Sequence, residues 1–220
     1  MDLEEFVTRF PVAYHVTEAG AWPFIQRHGL LSTSALLDLF EIDARTREQI
    51  ETRPRPSSVT IDHPDHGTAV IRDNKPLRPH ILDRCLDGCG VTDWCRILNS
   101  RVFFWATEQR LENHLRARGH RDQARELVTI DTRSLMERYS ASVTLCAFNS
   151  GSALYPNAPR RGPDTFMTVE RYPYEEMRRR HGARNALAEI CVQWELPDIT
   201  NVASSIHAIA EDGVRHLIGP

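Results

Sequence analysis

The run Asn99-Ser-Arg-Val-Phe-Phe-Trp105 constrains this chain more than any other stretch. An apolar block, Val102 to Trp105, opens behind a polar turn with Arg101 at its mouth, and an acid-rich helical pattern, Ala106 to Leu115, follows at once. Aromatic and β-branched residues fit a pleated, half-buried surface, so the block reads as a short central strand running into a helix. Two other stretches have the character of its neighbours: Val12 to Thr17, which holds Tyr14-His15, and Ala188 to Trp194, which holds Glu189. Side by side, the three would bring a histidine, an aromatic wall and a carboxylate into one cleft.

Local signals set out the rest of the chain. Helices are expected over Leu3 to Phe10, closed by Pro11, and from Thr17 or Glu18 to a stop at Gly29. Further helices are expected at Ala35 to Phe40 behind Ser32-Thr33-Ser34, at Arg45 to Ile50, at Val91 to Leu98, from Thr107 to about Arg118 with an end at Gly119, and at Pro173 to His181, while Leu77, Ile81 and Leu86 suggest a helix or turn that ends near Gly88 to Gly90. Strands are expected at Ser58 to Ile61, Leu127 to Ile130, Ser142 to Phe148, Thr165 to Val169 and Ala186 to Trp194, with Val202 to Val214 as a last strand and closing turn. Thr68 to Ile71 reads equally as the second arm of a hairpin or as a loop. Thr52 to Pro56 reads as a connection that does not pack, and Asn149 to Arg161 as a long, mobile loop. About seven strands with short helices and no regular strand–helix alternation give an α+β class, in one domain over residues 1–220.

Composition removes several classes. With 41% hydrophobic and 26% charged residues, the chain is neither disordered nor fibrous in character. A formal charge of -3 gives no global drive toward duplex nucleic acid. No apolar run approaches the roughly 20 residues of a membrane span, and the acidic start Met-Asp-Leu-Glu-Glu-Phe is unlike a secretory signal. Five cysteines without dense spacing fit a reducing cytoplasm. Cys85-x3-Cys89 and His63-x2-His66 lack the matched pairs of a zinc site, so no metal is expected. Neither a Gly-x-Gly-x2-Gly fingerprint nor a phosphate-binding Gly-x4-Gly-Lys loop is present. Cys191 reads as a small buried hydrophobe rather than a nucleophile.

Tyr14-His15, followed by a segment that ends Ile25-Gln-Arg-His-Gly-Leu-Leu-Ser32, resembles the opening of ADP-ribosyltransferases, where a strand-borne histidine precedes a helix and a Gly-Leu-x-Ser/Thr turn. Arg101-Val-Phe-Phe-Trp105 is similar to their second strand, and Ala188-Glu189-Ile-Cys-Val192 to the strand that presents the catalytic glutamate. The order Pro11-x2-Tyr-His, Trp94 and Leu98-Asn99-x-Arg-Val-Phe-Phe-Trp105 resembles a bacterial family beside the DNA-modifying DarT-like and RNA 2′-phosphotransferase-like branches, over about Met1 to Asp198.

The resemblance implies a split antiparallel or mixed β-sheet core with short flanking helices, and NAD as the cofactor. His15 would hydrogen-bond a ribose hydroxyl. Glu189 would hold the nicotinamide-ribose 2′-hydroxyl and oppose the positive charge that develops as nicotinamide leaves. Phe104 or Trp105 would flank the nicotinamide ring and Arg101 would neutralise a pyrophosphate oxygen, with Tyr14, Thr17, Ser32 and Asn99 as further cofactor contacts. Two departures stand out: an aromatic without a hydroxyl where tyrosine is common, and Leu187 two residues before Glu189 where protein-directed members carry an acid or glutamine. The implied acceptor is DNA, RNA or a nucleotide-like small molecule, and a regulatory partner protein stays open. The alternatives are a nucleotide-binding or interaction domain without catalysis and an NAD-dependent RNA 2′-phosphotransferase.

Plainer roles stand beside these. Glu189 has Arg184 as a salt-bridge candidate, Arg101 has Asp93 or Glu108, and Asn99 suits a turn. Arg53, Arg55, Arg160 and Arg161 are loop arginines that meet phosphates or water. Strand alternation puts Phe103 and Trp105 on one face and Phe104 on the other.

Overall fold

The computed structural model describes residues 1–117 and 121–219. Helix α1 (Leu3–Arg9) is capped by the Asp2 carboxylate, which accepts the Glu5 N–H at 2.8 Å, and it stops short of Pro11. Strand β1 (Val12–Glu18) follows. The expected helix start at Thr17 or Glu18 is corrected: Val16, Thr17 and Glu18 pair with Leu127, Glu126 and Arg125, and that ladder outweighs local helix preference. The chain turns at Gly20, and α2 (Trp22–His28) begins with Pro23 in its first turn.

Gly29 ends α2 at a φ of 84°, and a Cβ there would lie 2.7 Å from the Leu196 carbonyl oxygen. Both the left-handed backbone and the close approach require glycine. Gly29→Ala is expected to lower stability by about 2 kcal/mol or more, read as a lower midpoint in thermal unfolding.

Strand β2 (Leu30–Leu31) leads to α3 (Thr33–Leu39), capped by Ser32, and α4 (Ala44–Glu51), capped by Asp43. Strands β3 (Val59–His63) and β4 (Gly67–Ile71) form a hairpin. Helices α5 (Pro79–Cys85) and α6 (Val91–Asn99) deliver the chain to β5 (Arg101–Trp105). Thr107 caps α7 (Glu108–Arg116), and the end expected at Gly119 lies outside the described residues. Then come β6 (Arg125–Asp131), α8 (Thr132–Tyr139), β7 (Val143–Cys146), α9 (Tyr174–His181), β8 (Glu189–Gln193), β9 (Glu195–Leu196), β10 (Ala203–Ile209) and β11 (Arg215–Gly219).

The main sheet has seven strands in the order β11-β10-β6-β1-β5-β8-β7, and every pairing in it is antiparallel. With the small β2-β9 and β3-β4 sheets and the flanking helices, this is a mixed α and β fold built on antiparallel sheets. The aromatic block is interior, with β1 on one side and β8 on the other, as its apolar content requires. One face of the sheet carries the main core, including Phe6, Phe10, Ala13, Phe104, Ile130 and Ile190. Under the other face of β7 and β8, α5 and α6 pack Leu82, Trp94 and Leu98 against Cys146 and Cys191. No helix among the described residues is long and apolar enough to cross a membrane.

Several expectations change. Thr165 to Val169 is not a strand: it meets β7 at the single pair Leu145↔Met167 and then turns away. The last strand is a pair, β10 and β11, because β11 is an edge whose Leu217 is 66% exposed and gives no buried-strand signal. Residues 149–161 hold no helix or strand, yet the bridges Leu77↔Ala153 and Leu86↔Arg161 dock them at both ends of α5. Thr52 to Pro56 does pack, since Arg55 is buried and donates to the carbonyls of Ile50 (2.6 Å) and Arg72 (3.0 Å).

Candidate functional site

The geometry turns on how β1 meets β5. Strand β1 pairs with β6 along its whole length, from Val12↔Asp131 to Glu18↔Arg125, but with β5 only at Tyr14↔Trp105. Beyond that pair the two strands part. A cavity of about 460 Å³ touches four consecutive β1 residues, His15, Val16, Thr17 and Glu18, and three consecutive β5 residues, Arg101, Val102 and Phe103. Successive residues of a strand face opposite ways, so a hollow that touches all of them runs along the open strand edges, inside the gap.

His15 bridges this gap. Its Nδ1 lies 2.8 Å from the Phe103 carbonyl oxygen, which has lost its β1 partner. A carbonyl only accepts, so Nδ1 carries the proton and the neutral ring presents Nε2 as an acceptor. Nε2 has no hydrogen-bond partner among the described residues. Burial depresses the imidazole pKa, against a smaller upward pull from the Phe103 bond, and so favours this neutral form.

Glu189 lies elsewhere than expected. The directly opposed residues Tyr14, Trp105, Glu189 and Cys146 share one face of the sheet. His15, next to Tyr14 on β1, faces the other way and packs on Phe104 at 5.6 Å between ring centroids. The three strands therefore do lie side by side, but imidazole and carboxylate leave the sheet on opposite faces. Glu189 lines a second cavity, of about 340 Å³, with Trp105, Asn99 and Ser150. The two cavities adjoin, sharing Val16, Thr33, Arg72, Arg101 and Phe103 in their linings.

Glu189 is 4% exposed and, among the described residues, has no cationic partner at bonding distance, Arg184 included. Both its oxygens accept the Ser150 backbone N–H, at 3.2 and 3.1 Å. Burial pushes its pKa up to about 7, against the downward pull of that N–H and of Arg110 and Arg161. Arg161 supports the arrangement from behind: it is 2% exposed and donates to the carbonyls of Ser150 (3.0 Å) and Ser152 (2.8 Å), fixing the turn that offers the N–H.

Of the expected contacts, Thr17, Ser32 and Arg101 line the first cavity, and Asn99, Arg101 and Trp105 the second. Two are corrected: Phe104 is 1% exposed inside the main core, and Tyr14 packs in the cluster of Leu111, Leu127 and Ile209, so neither lines either of these cavities. Ser32 already caps α3, accepting the Ala35 N–H at 3.2 Å. Asn99 is no turn residue but the buried end of α6, accepting from Arg55 at 3.0 Å and donating to the Glu51 carbonyl at 3.1 Å. Arg101 bonds the Ile97 carbonyl at 2.6 Å and lies over the Phe166 ring instead of pairing with Asp93 or Glu108. Arg55 and Arg161 are structural anchors, not solvated loop arginines.

Sequence reasoning missed Ser150, Arg72 and Arg110. Arg72 holds Glu18 at 2.7 Å beside the gap. A backbone donor such as Ser150 leaves no sequence signal, and the only signal of Arg110 is its place beside Leu111, the buried position of α7. Cys191 is buried with its thiol pKa pushed well up, which leaves it inert as a nucleophile. Among the described residues no group of three or more His, Cys, Asp or Glu stands where it would hold a metal ion.

No curated protein matches the chain. A family model does, that of a family of unknown function, DUF7002, over residues 11–203. The match runs from the start of β1 to the start of β10 and takes in the lining of both cavities, and the chain belongs to this DUF7002 family.

Proposed function

We propose that this protein is an NAD-consuming ADP-ribosyltransferase of the DarT-like or RNA 2′-phosphotransferase-like kind, with a nucleic acid or nucleotide-like acceptor. The observation that carries the reading is the parting of β1 and β5 after Tyr14↔Trp105, with an acceptor nitrogen of His15 in the gap and Glu189 beside Trp105 at its far end. A dinucleotide threaded through the gap meets both residues although they leave the sheet on opposite faces. The Nε2 lone pair suits a ribose hydroxyl. Arg72 and Arg101 line the Glu189 cavity and suit a pyrophosphate. Trp105 offers the aromatic face that Phe104, inside the core, does not.

The chemistry asked of Glu189 is electrostatic. Ionised and shielded from water, it opposes the charge that builds on the ribose as the glycosidic bond to nicotinamide lengthens. Ser150 and Arg161 hold it in position for that.

A second reading, a nucleotide-binding domain without turnover, is favoured by the opposite-face placement of His15 and Glu189 and by the missing tyrosine hydroxyl. One experiment tests both. The full chain is incubated with labelled NAD and with single-stranded DNA, RNA or 2′-phosphorylated RNA, and free nicotinamide and acceptor label are measured. Nicotinamide release with label on an acceptor is expected. NAD binding by calorimetry without release would establish the second reading, and no binding would dismiss both.

A further inference from the structure

Residues 147–151 divide two hollows. Asn149, Ser150 and Gly151 face the Glu189 cavity, whereas Ala147 and Phe148 line a wider groove of about 1220 Å³ on the other side. That groove holds four arginines, Arg110, Arg160, Arg161 and Arg180, against two aspartates, Asp87 and Asp164.

Three of the arginines are engaged. Arg160 meets Asp87 at 3.2 Å, Arg180 meets Glu176 at 2.9 Å, and Arg161 serves the carbonyls of Ser150, Ser152 and Pro159. Arg110 is different. It is half-buried on α7, has no hydrogen bond or ion pair from its side chain to any described residue, and its Nε is shut off from water. The charge that Arg110 feels most is that of Glu189, which makes no hydrogen bond to it, and a partly dehydrated guanidinium without a hydrogen-bond acceptor is costly. Phe148, Met167 and Met177 supply an apolar wall beside it.

We propose that this groove binds the phosphate ester of a nucleotide, with the planar fork of Arg110 on the phosphate and the Phe148, Met167 and Met177 wall against the base. A phosphate suits the surplus of positive charge, and the wall suits a flat heterocycle better than a bare anion. The groove lies across residues 147–151 from the Glu189 cavity, where an acceptor reaches the transfer site without displacing the dinucleotide. That acceptor role rests on the ADP-ribosyltransferase reading; the binding does not.

The test is calorimetric titration of the full chain with inorganic phosphate, adenosine 5′-monophosphate and a single-stranded 12-residue oligodeoxynucleotide. The mononucleotide is expected to bind more tightly than inorganic phosphate. Arg110→Gln should weaken it by about tenfold, and Arg180→Gln, at an exposed position that does not endanger folding, by a few-fold. Arg45→Gln, which removes one charge from α4, should change nothing. Arg110→Lys, which keeps the charge without the fork, should fall between wild type and Arg110→Gln. Oligonucleotide binding that is lost in Arg110→Gln would identify a phosphodiester as the natural ligand, and mononucleotide binding alone a free nucleotide.

Affinity unchanged in a folded Arg110→Gln protein would overturn the proposal. So would absence of binding by both nucleotide probes, or a loss that follows His15→Ala instead, which would put the nucleotide in the strand gap. Phosphate-ester binding that persists while nicotinamide release is absent removes only the acceptor role.

Discussion

Replacing Glu189 by glutamine is expected to give a protein that turns over NAD at least about tenfold more slowly and yet is more stable above pH 7. The two effects share one cause. Glu189 is nearly inaccessible to water and its pKa is raised to about 7 from an ordinary 4.5. Between those values the folded state binds a proton that the unfolded state has released, so stability falls as pH rises and levels off above about 7. The ionised carboxylate thus costs the native state about 3 kcal/mol at pH 8. Glutamine keeps an oxygen for the Ser150 N–H and carries no charge, so the cost vanishes and so does the charge that opposes the developing cation. Thermal or denaturant unfolding of both proteins from pH 4 to 8 checks the first effect: the difference should be near zero at pH 4 and largest at pH 8. The second appears as nicotinamide release that climbs through pH 7 in the wild type and stays low in the variant. Equal stability of the two proteins at pH 8 would mean that Glu189 is not buried as described, and undiminished release would remove it from the chemistry.

The second large effect is purely structural in origin. Arg161 lies nine residues or more beyond the turn it supports, and its guanidinium serves the carbonyls of Ser150, Ser152 and Pro159 while lying 4.9 Å from the Phe148 ring centroid. Truncation to alanine leaves those buried acceptors without a donor and opens a void against Phe148. A loss of about 3–5 kcal/mol follows, seen as a melting midpoint lower by about 10 °C in a chain of this size. Arg160, its neighbour, is an exposed residue paired with Asp87, and Arg160→Ala should change stability by less than about 0.5 kcal/mol. A melting curve of Arg161→Ala that overlays that of Arg160→Ala would show that the loop does not depend on this anchor. In the destabilised protein the Ser150 N–H is no longer held to Glu189 and a nearby positive charge is gone, so the carboxyl pKa should move further up and the pH dependence of turnover with it.

Such anchors explain why the chain from 149 to 161 misleads when read from sequence. Its glycine, proline, asparagine and serine content has the composition of a mobile loop, and it does lack helix and strand. Yet Ser150, Ala153 and Arg161 are buried, because bridges to Leu77 and Leu86 and one arginine satisfy its backbone from outside. The same holds for Arg55, written between two prolines and found bonded to Ile50, Arg72 and Asn99. Long-range satisfaction of carbonyls by a guanidinium has no local pattern to announce it.

Sequence alone determined the elements whose physics is local. Ser32 caps α3 because a short side-chain oxygen beside a helical run has a backbone N–H to take, and Gly29 ends α2 because only glycine fits its backbone there. The apolar content of Arg101 to Trp105 and of Ala188 to Trp194 marks them as interior neighbours, and β5 and β8 do pair. Only tertiary structure decided where the strands stop pairing, and with it which side chains share a space. Pleat direction is fixed by register, register by partners far along the chain, and a single pair at Tyr14↔Trp105 settles that His15 stands in a gap while Glu189 looks out from the opposite face.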